Sequence, residues 1–218
     1  AAGTSRDVTV TGVGGVPANA DAVTLNVTVT GTSAPSFLTV WPATVARPLS
    51  SNLNWGSGQT VANAVTVKVG AGGKISVFNN SGTANVIIDV VGYYNATQGD
   101  GFTSVAPTRI QDSRPAPETV GPYSTPWGAG QTRTVDVTNA TVPDTADAVV
   151  LNVTATGTSA SSFLSIWPNG QAQPLVSSLN WGAGQTVPNA VTVKVGTGGL
   201  ISVFNNSGTA NVIIDVVG

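Results

Sequence analysis

Four tryptophans stand in two matched pairs whose neighbours could bind a sugar. Trp41 and Trp167 each precede a proline, while Trp55 and Trp181 follow Asn54 and Asn180 and lie just ahead of Gln59 and Gln185. An indole face flanked by carboxamides can stack on a sugar ring while the amides hydrogen-bond its hydroxyls, a recognition that needs no charge. Large aromatics are mostly buried, however, so the same rings could instead close the ends of a β-structure. Asn79-Asn80-Ser81-Gly82 and Asn205-Asn206-Ser207-Gly208 read first as turns, with amides that a ligand could also use.

The carboxylates offer less. Asp89 and Asp215 sit inside identical apolar runs, Val-Ile-Ile-Asp-Val-Val. A carboxylate buried in a strand needs an arginine or several backbone N–H donors, and Arg6, Arg133, Arg109 and Arg114 are the candidate partners. The sole glutamate, Glu118, lies in a proline-rich loop and forms no obvious pair for acid–base work. Asp144 and Asp147 could hold calcium with help from carbonyls, but only Asp147 has a twin, Asp21, and no ligand-dense loop surrounds them. Histidine, cysteine and methionine are absent, which excludes disulfides, Cys/His metal sites and every catalytic arrangement built on imidazole or thiol. The expectation is a chain that is not an enzyme and carries no metal or cofactor.

Composition narrows the partners. Only 8% of the 218 residues are charged, against roughly a quarter in an average soluble domain. Eight basic and ten acidic residues give a net charge of -2, no footprint for nucleic acid or an anionic membrane. The longest apolar run, around Val86-Ile87-Ile88, is too short for a spanning helix, so membrane insertion is not expected. Thr, Val, Ala, Gly, Ser and Asn dominate, a vocabulary of β-strands and turns. The absence of oxidisable sulfur suits an extracellular life.

The chain repeats itself. Ala20-Asp21-Ala22-Val23 recurs as Ala146-Asp147-Ala148-Val149, and the match runs ungapped to Gly92 and Gly218 with about four positions in five identical. Upstream, Arg6 to Pro17 aligns with Arg133 to Pro143 once a one-residue difference is allowed. Phe102 to Gly130 has no counterpart before Arg6, and copy two stops where copy one continues into Tyr93-Tyr94. That pattern predicts a stretch cut from a longer array. A period above 100 residues is a domain length. The expected organisation is a first repeat over 1–94 without its opening strand, a small polar linker over 95–101, and a second repeat over 102–218.

Strict alternation of Val23, Leu25, Val27 and Val29 with Thr and Asn predicts a strand with one apolar face. Similar runs near Val8–Thr11, Phe37–Trp41, Asn52–Trp55, Val65–Val69, Ile75–Phe78 and Asn85–Val91, divided by Gly, Ser and Thr turns, give about seven short strands per copy. The fold class is all-β, as two tandem sandwich-like domains. A faint threefold echo inside each copy makes a β-prism or trefoil-like arrangement the second choice. Asn85–Val91, apolar on both faces apart from Asp89, reads as a central strand.

Phe102 to Arg114 with its Pro107-Thr-Arg109-Ile-Gln-Asp112-Ser-Arg114, then Gly130-Gln131-Thr132, Leu151-Asn152-Val153-Thr154, Trp167-Pro168, Gly184-Gln185-Thr186 and the closing Ile214-Asp215-Val216-Val217-Gly218, resemble a repeat domain of secreted and cell-surface bacterial proteins, notably of actinobacteria. That family opens on Pro-x-Arg-Leu-Leu-Asp-Thr-Arg and closes on Val-Asp-Val-x-Gly-Tyr. The resemblance implies an extracellular accessory module and names no ligand. Two functions stay open: binding or adhesion to a glycan or cell-wall polymer, strengthened by two copies, or a structural spacer or self-assembling surface protein, favoured by the shortage of guarding charges on strand edges.

Overall fold

The computed structural model describes residues 1–49, 51–95, 101, 103, 105, 108–138 and 142–218. The chain is all-β and divides into two compact units, Ala1–Gly101 and Phe102–Gly218. Of the stretch read as a linker, residues 96–100 lie outside the described residues, as do Phe102, Ser104, Ala106 and Pro107 of the opening motif.

Unit 1 contains β1 (Thr4–Thr9), β2 (Ala22–Thr30), β3 (Ser36–Pro42), β4 (Leu53–Trp55), β5 (Val61–Lys68), β6 (Lys74–Asn79) and β7 (Asn85–Tyr94). They form two antiparallel sheets, ordered β1-β6-β3-β4 and β5-β2-β7. The alternation in β2 does what the sequence requires: Val23, Leu25, Val27 and Val29 are all fully buried. They meet Leu38, Val40, Leu53, Trp55, Ile75 and Val77 from the other sheet in one core, which makes the unit a sandwich rather than a threefold prism or trefoil.

Unit 2 repeats that plan and extends it. Its strands are β8 (Thr108–Asp112), β9 (Gln131–Asp136), β10 (Ala148–Thr156), β11 (Ser162–Pro168), β12 (Leu179–Trp181), β13 (Val187–Lys194), β14 (Leu200–Asn205) and β15 (Asn211–Val216). The sheets run β12-β11-β14-β9 and β13-β10-β15-β8. Every strand of unit 1 has its twin here, and β8 is the addition.

That addition corrects one expectation. The Asn85–Val91 run is expected to be central, yet among the described residues β7 pairs with β2 alone and forms the edge of a three-stranded sheet. Its twin β15 is central, with β10 on one side and β8 on the other. Position in a sheet is set by the available neighbours, and β8 comes from the segment that precedes β9 in the second repeat.

The turns are built on glycine where backbones crowd. Gly70 and its twin Gly196 sit so near the chain after β3 and β11 that an added Cβ would lie 2.2 Å from the Ala43 nitrogen and 2.1 Å from that of Asn169.

Candidate functional site

The four tryptophans proposed for sugar stacking lie inside the units. Trp41, Trp55, Trp167 and Trp181 are each no more than 7% exposed. Each indole N–H is satisfied by its own unit's backbone: Trp41 donates to Val45 O at 2.9 Å, Trp167 to Gln171 O at 3.1 Å, Trp55 to Ala34 O at 3.2 Å and Trp181 to Ala160 O at 3.1 Å. A ring with both its face and its donor engaged internally has nothing left for a sugar.

The amides read as their companions close turns instead. Gln59 and Gln185 accept the backbone N–H of Gly56 and Gly182 through Oε1, both at 2.7 Å. Asn54 and Asn180 donate to Ser51 and Ser177 Oγ at 3.1 and 3.0 Å. The sugar-binding constellation is therefore a set of core rings and turn locks.

The charged residues meet in unit 2. Arg109 on β8 donates through Nε to Asp215 on β15 at 2.8 Å and through Nη1 to Asp112 at 3.1 Å. Arg114 reaches Asp112 from the other side, with Nη2 2.7 Å from Oδ2 and both Nε and its backbone N–H on Oδ1. Asp112 is fully buried. Burial alone would raise its pKa, but the Arg114 hydrogen bonds and the charges of Arg114 and Arg109 outweigh that and hold it below the ordinary carboxylate value. The Thr-Arg-Ile-Gln-Asp-Ser-Arg stretch thus fastens β8 to β15.

Of the arginines named for Asp215, Arg109 fills the role. Arg114 serves Asp112, and Arg133 does neither. Arg133 lies over the rings of Tyr123 and Trp127, with its guanidinium carbon 4.9 and 4.6 Å from their centroids, and donates to Thr125 O and Pro126 O at 2.7 and 3.0 Å. In unit 1, neither Arg6 nor Asp89 forms an ion pair among the described residues. Asp89 is half-buried, and desolvation raises its pKa.

Trp127 went unrecognised in the sequence. It is completely buried, exchanges backbone hydrogen bonds with Ala210, and donates its indole N–H to Val203 O at 3.0 Å. Asn205, from one of the Asn-Asn-Ser-Gly turns, clamps it: its Nδ2 lies 3.1 Å from both Trp127 O and Gly128 O. The available signal was that Trp127 is the one tryptophan of five without a twin in the repeat.

In unit 1 the equivalent place is a groove of about 460 Å³ between β1 and β7, bordered by Thr4, Arg6, Val77, Asn79, Ala84 and Val86 among others. Asn79 Nδ2 donates to Gly82 O at 2.9 Å, as Asn205 does to Gly208 O at 3.0 Å, and lies 3.5 Å from Ala1 O. Val86, whose twin Val212 is fully buried, is 38% exposed, and Ile87 is 47% exposed against 8% for Ile213.

Asp144 and Asp147 border a shallow depression with Thr138 and Gly196. No group of three or more acidic side chains able to hold a metal occurs among the described residues. No described helix is long and apolar enough to cross a membrane. No protein-family model matches the chain, and a comparison with curated proteins finds no match.

Proposed function

We propose that this chain is a non-catalytic structural module of a secreted or cell-surface polypeptide, a spacer or assembly element joined to its neighbours by polypeptide contacts and not by a bound sugar. The observation that carries the reading is that every candidate stacking indole is buried with its N–H satisfied by the backbone of its own unit. The sulfur-free, charge-poor composition and the resemblance to bacterial surface repeats support the extracellular setting. The carboxylates support the non-catalytic part, since Asp112 and Asp215 are engaged by arginines.

A glycan-array screen of the intact chain tests this. No saturable binding to any glycan is expected. Binding that free sugar competes away would sink the structural reading and restore adhesion to a glycan or cell-wall polymer.

A further inference from the structure

We infer that the loop joining β11 to β12 is a proteolytic processing site: its Leu175–Val176 bond is open to endopeptidases that cut after a large apolar side chain, whereas every bond that a basic-specific endopeptidase would cut is closed. This goes beyond the structural reading above and stands whatever the glycan screen returns.

An endopeptidase binds its substrate as an extended strand, so a bond already held in a sheet is cut only when the structure opens. The eight basic residues are placed accordingly. Six lie in strands: Arg6 in β1, Lys68 in β5, Lys74 in β6, Arg109 in β8, Arg133 in β9 and Lys194 in β13. Lys68 and Lys194 end their strands, but the N–H that follows each is still engaged, Val69 donating to Asp21 O and Val195 to Asp147 O, both at 2.9 Å. The two outside strands, Arg47 and Arg114, are each followed by proline, whose ring takes the place of the N–H at the bond to be cut and crowds the approach to it. The stretch 95–101 carries no lysine, arginine or leucine.

Leucine is distributed in the opposite way. Of nine, seven lie in strands, and the other two are Leu49 and Leu175, twins in the two copies. These two are fully exposed, at 102% and 108%. Each follows a proline. In Gln173-Pro174-Leu175 the ring fixes its own backbone and turns Gln173 away from helical angles, so the chain before the cut is extended in advance. Ala172 and Gln173 are exposed, and no hydrogen bond among the described residues holds Ala172, Gln173, Pro174 or Leu175. The loop is fastened at its ends, where Trp167 donates to Gln171 O at 3.1 Å and Ser165 donates through Oγ to Val176 O at 2.6 Å.

Cleavage adds the hydroxyl of a water to the Leu175 carbonyl carbon and its proton to the Val176 nitrogen as the bond between them breaks. The nicked unit stays one body, because the part after the cut supplies strands to both sheets. There β14 lies between β11 and β9, and β15 lies between β10 and β8.

The test is digestion of the full chain by trypsin and by chymotrypsin, each beside the same chain unfolded in urea, with the cuts located by mass spectrometry. Trypsin is expected to act on the folded chain on the order of a hundredfold more slowly than on the unfolded one. Chymotrypsin is expected to cut after Leu175 and after its twin Leu49 on the order of a hundredfold faster than after any leucine in a strand. The nicked protein should elute with the intact chain until denatured. Leu175→Asp, at a position that carries no packing, should remove the unit 2 cut and leave the cut after Leu49 at its original rate. The inference is overturned if trypsin cuts the folded chain as fast as the unfolded one, if chymotrypsin cuts after Leu175 no faster than after the leucines in strands, if Leu175→Asp leaves the pattern of cuts unchanged, or if the fragments separate without denaturant.

Discussion

Asn85–Gly92 and Asn211–Gly218 are the same eight residues, yet one copy is an edge strand with exposed valine and isoleucine and the other is the middle of a four-stranded sheet. The body of each sandwich cannot account for this, since β2 and β10 pair with the two strands in the same register, Asn26 opposite Asp89 and Asn152 opposite Asp215. What differs is a single covering element, β8 with Trp127. Burial here belongs to the neighbourhood and not to the strand, so two nearly identical units differ in how completely they are closed.

Removing the cover should reproduce unit 1 inside unit 2. Trp127→Ala should destabilise unit 2 by about 3–5 kcal/mol, the range for truncating a buried aromatic, and hydrogen exchange along β15 should then approach that of β7. If β15 stays protected, the indole is not what seals the groove. Asp112→Ala comes next. It leaves Arg109 and Arg114 without their buried carboxylate and should cost about 3 kcal/mol, visible as a lower denaturant midpoint for unit 2 with unit 1 unmoved.

Twin substitutions sharpen the contrast at a single site. Val212→Ala removes methyl groups from a fully buried position and should cost about 2 kcal/mol, while Val86→Ala, on the open groove, should stay within about 0.5 kcal/mol. Equal costs would mean that the groove is covered in solution.

The smallest effect concerns pH and has opposite signs in the two units. Asp89 holds its proton more tightly when folded than when unfolded, so its effect on unit 1 is most favourable below the ordinary aspartate value of 3.8 and is lost as pH rises through its raised pKa. Asp112 is the reverse: its contribution to unit 2 is present above 3.8 and is lost as pH falls through its lowered pKa. Following exchange at β7 and β15 between acid and neutral pH separates them, and Asp89→Asn should flatten the β7 profile alone.

Much of the architecture could be read directly. Val23, Leu25, Val27 and Val29 announce a half-apolar strand, and the repeat forces two equivalent bodies. The edge position of β7 could not be read, because a strand apolar on both faces looks the same whether or not a neighbour arrives, and that neighbour lies outside the repeated part. The tryptophans misled for a related reason. An indole beside asparagine and glutamine suits a sugar site and a closed turn equally, and only the acceptors at Ala34, Val45, Ala160 and Gln171 distinguish them. Trp127, whose isolation in the repeat marked it, mattered most.

The bridge from Arg109 to Asp215 joins residues 106 positions apart, one near the start of its unit and the other near the end. A chain emerging from a ribosome at roughly 5–20 residues per second exposes the opening segment for on the order of 5–20 s before its docking strand exists. Through that interval the segment is an unclaimed strand with its tryptophan in water. Synthesis itself therefore sets a time during which the cover of unit 2 waits for the strand that will hold it.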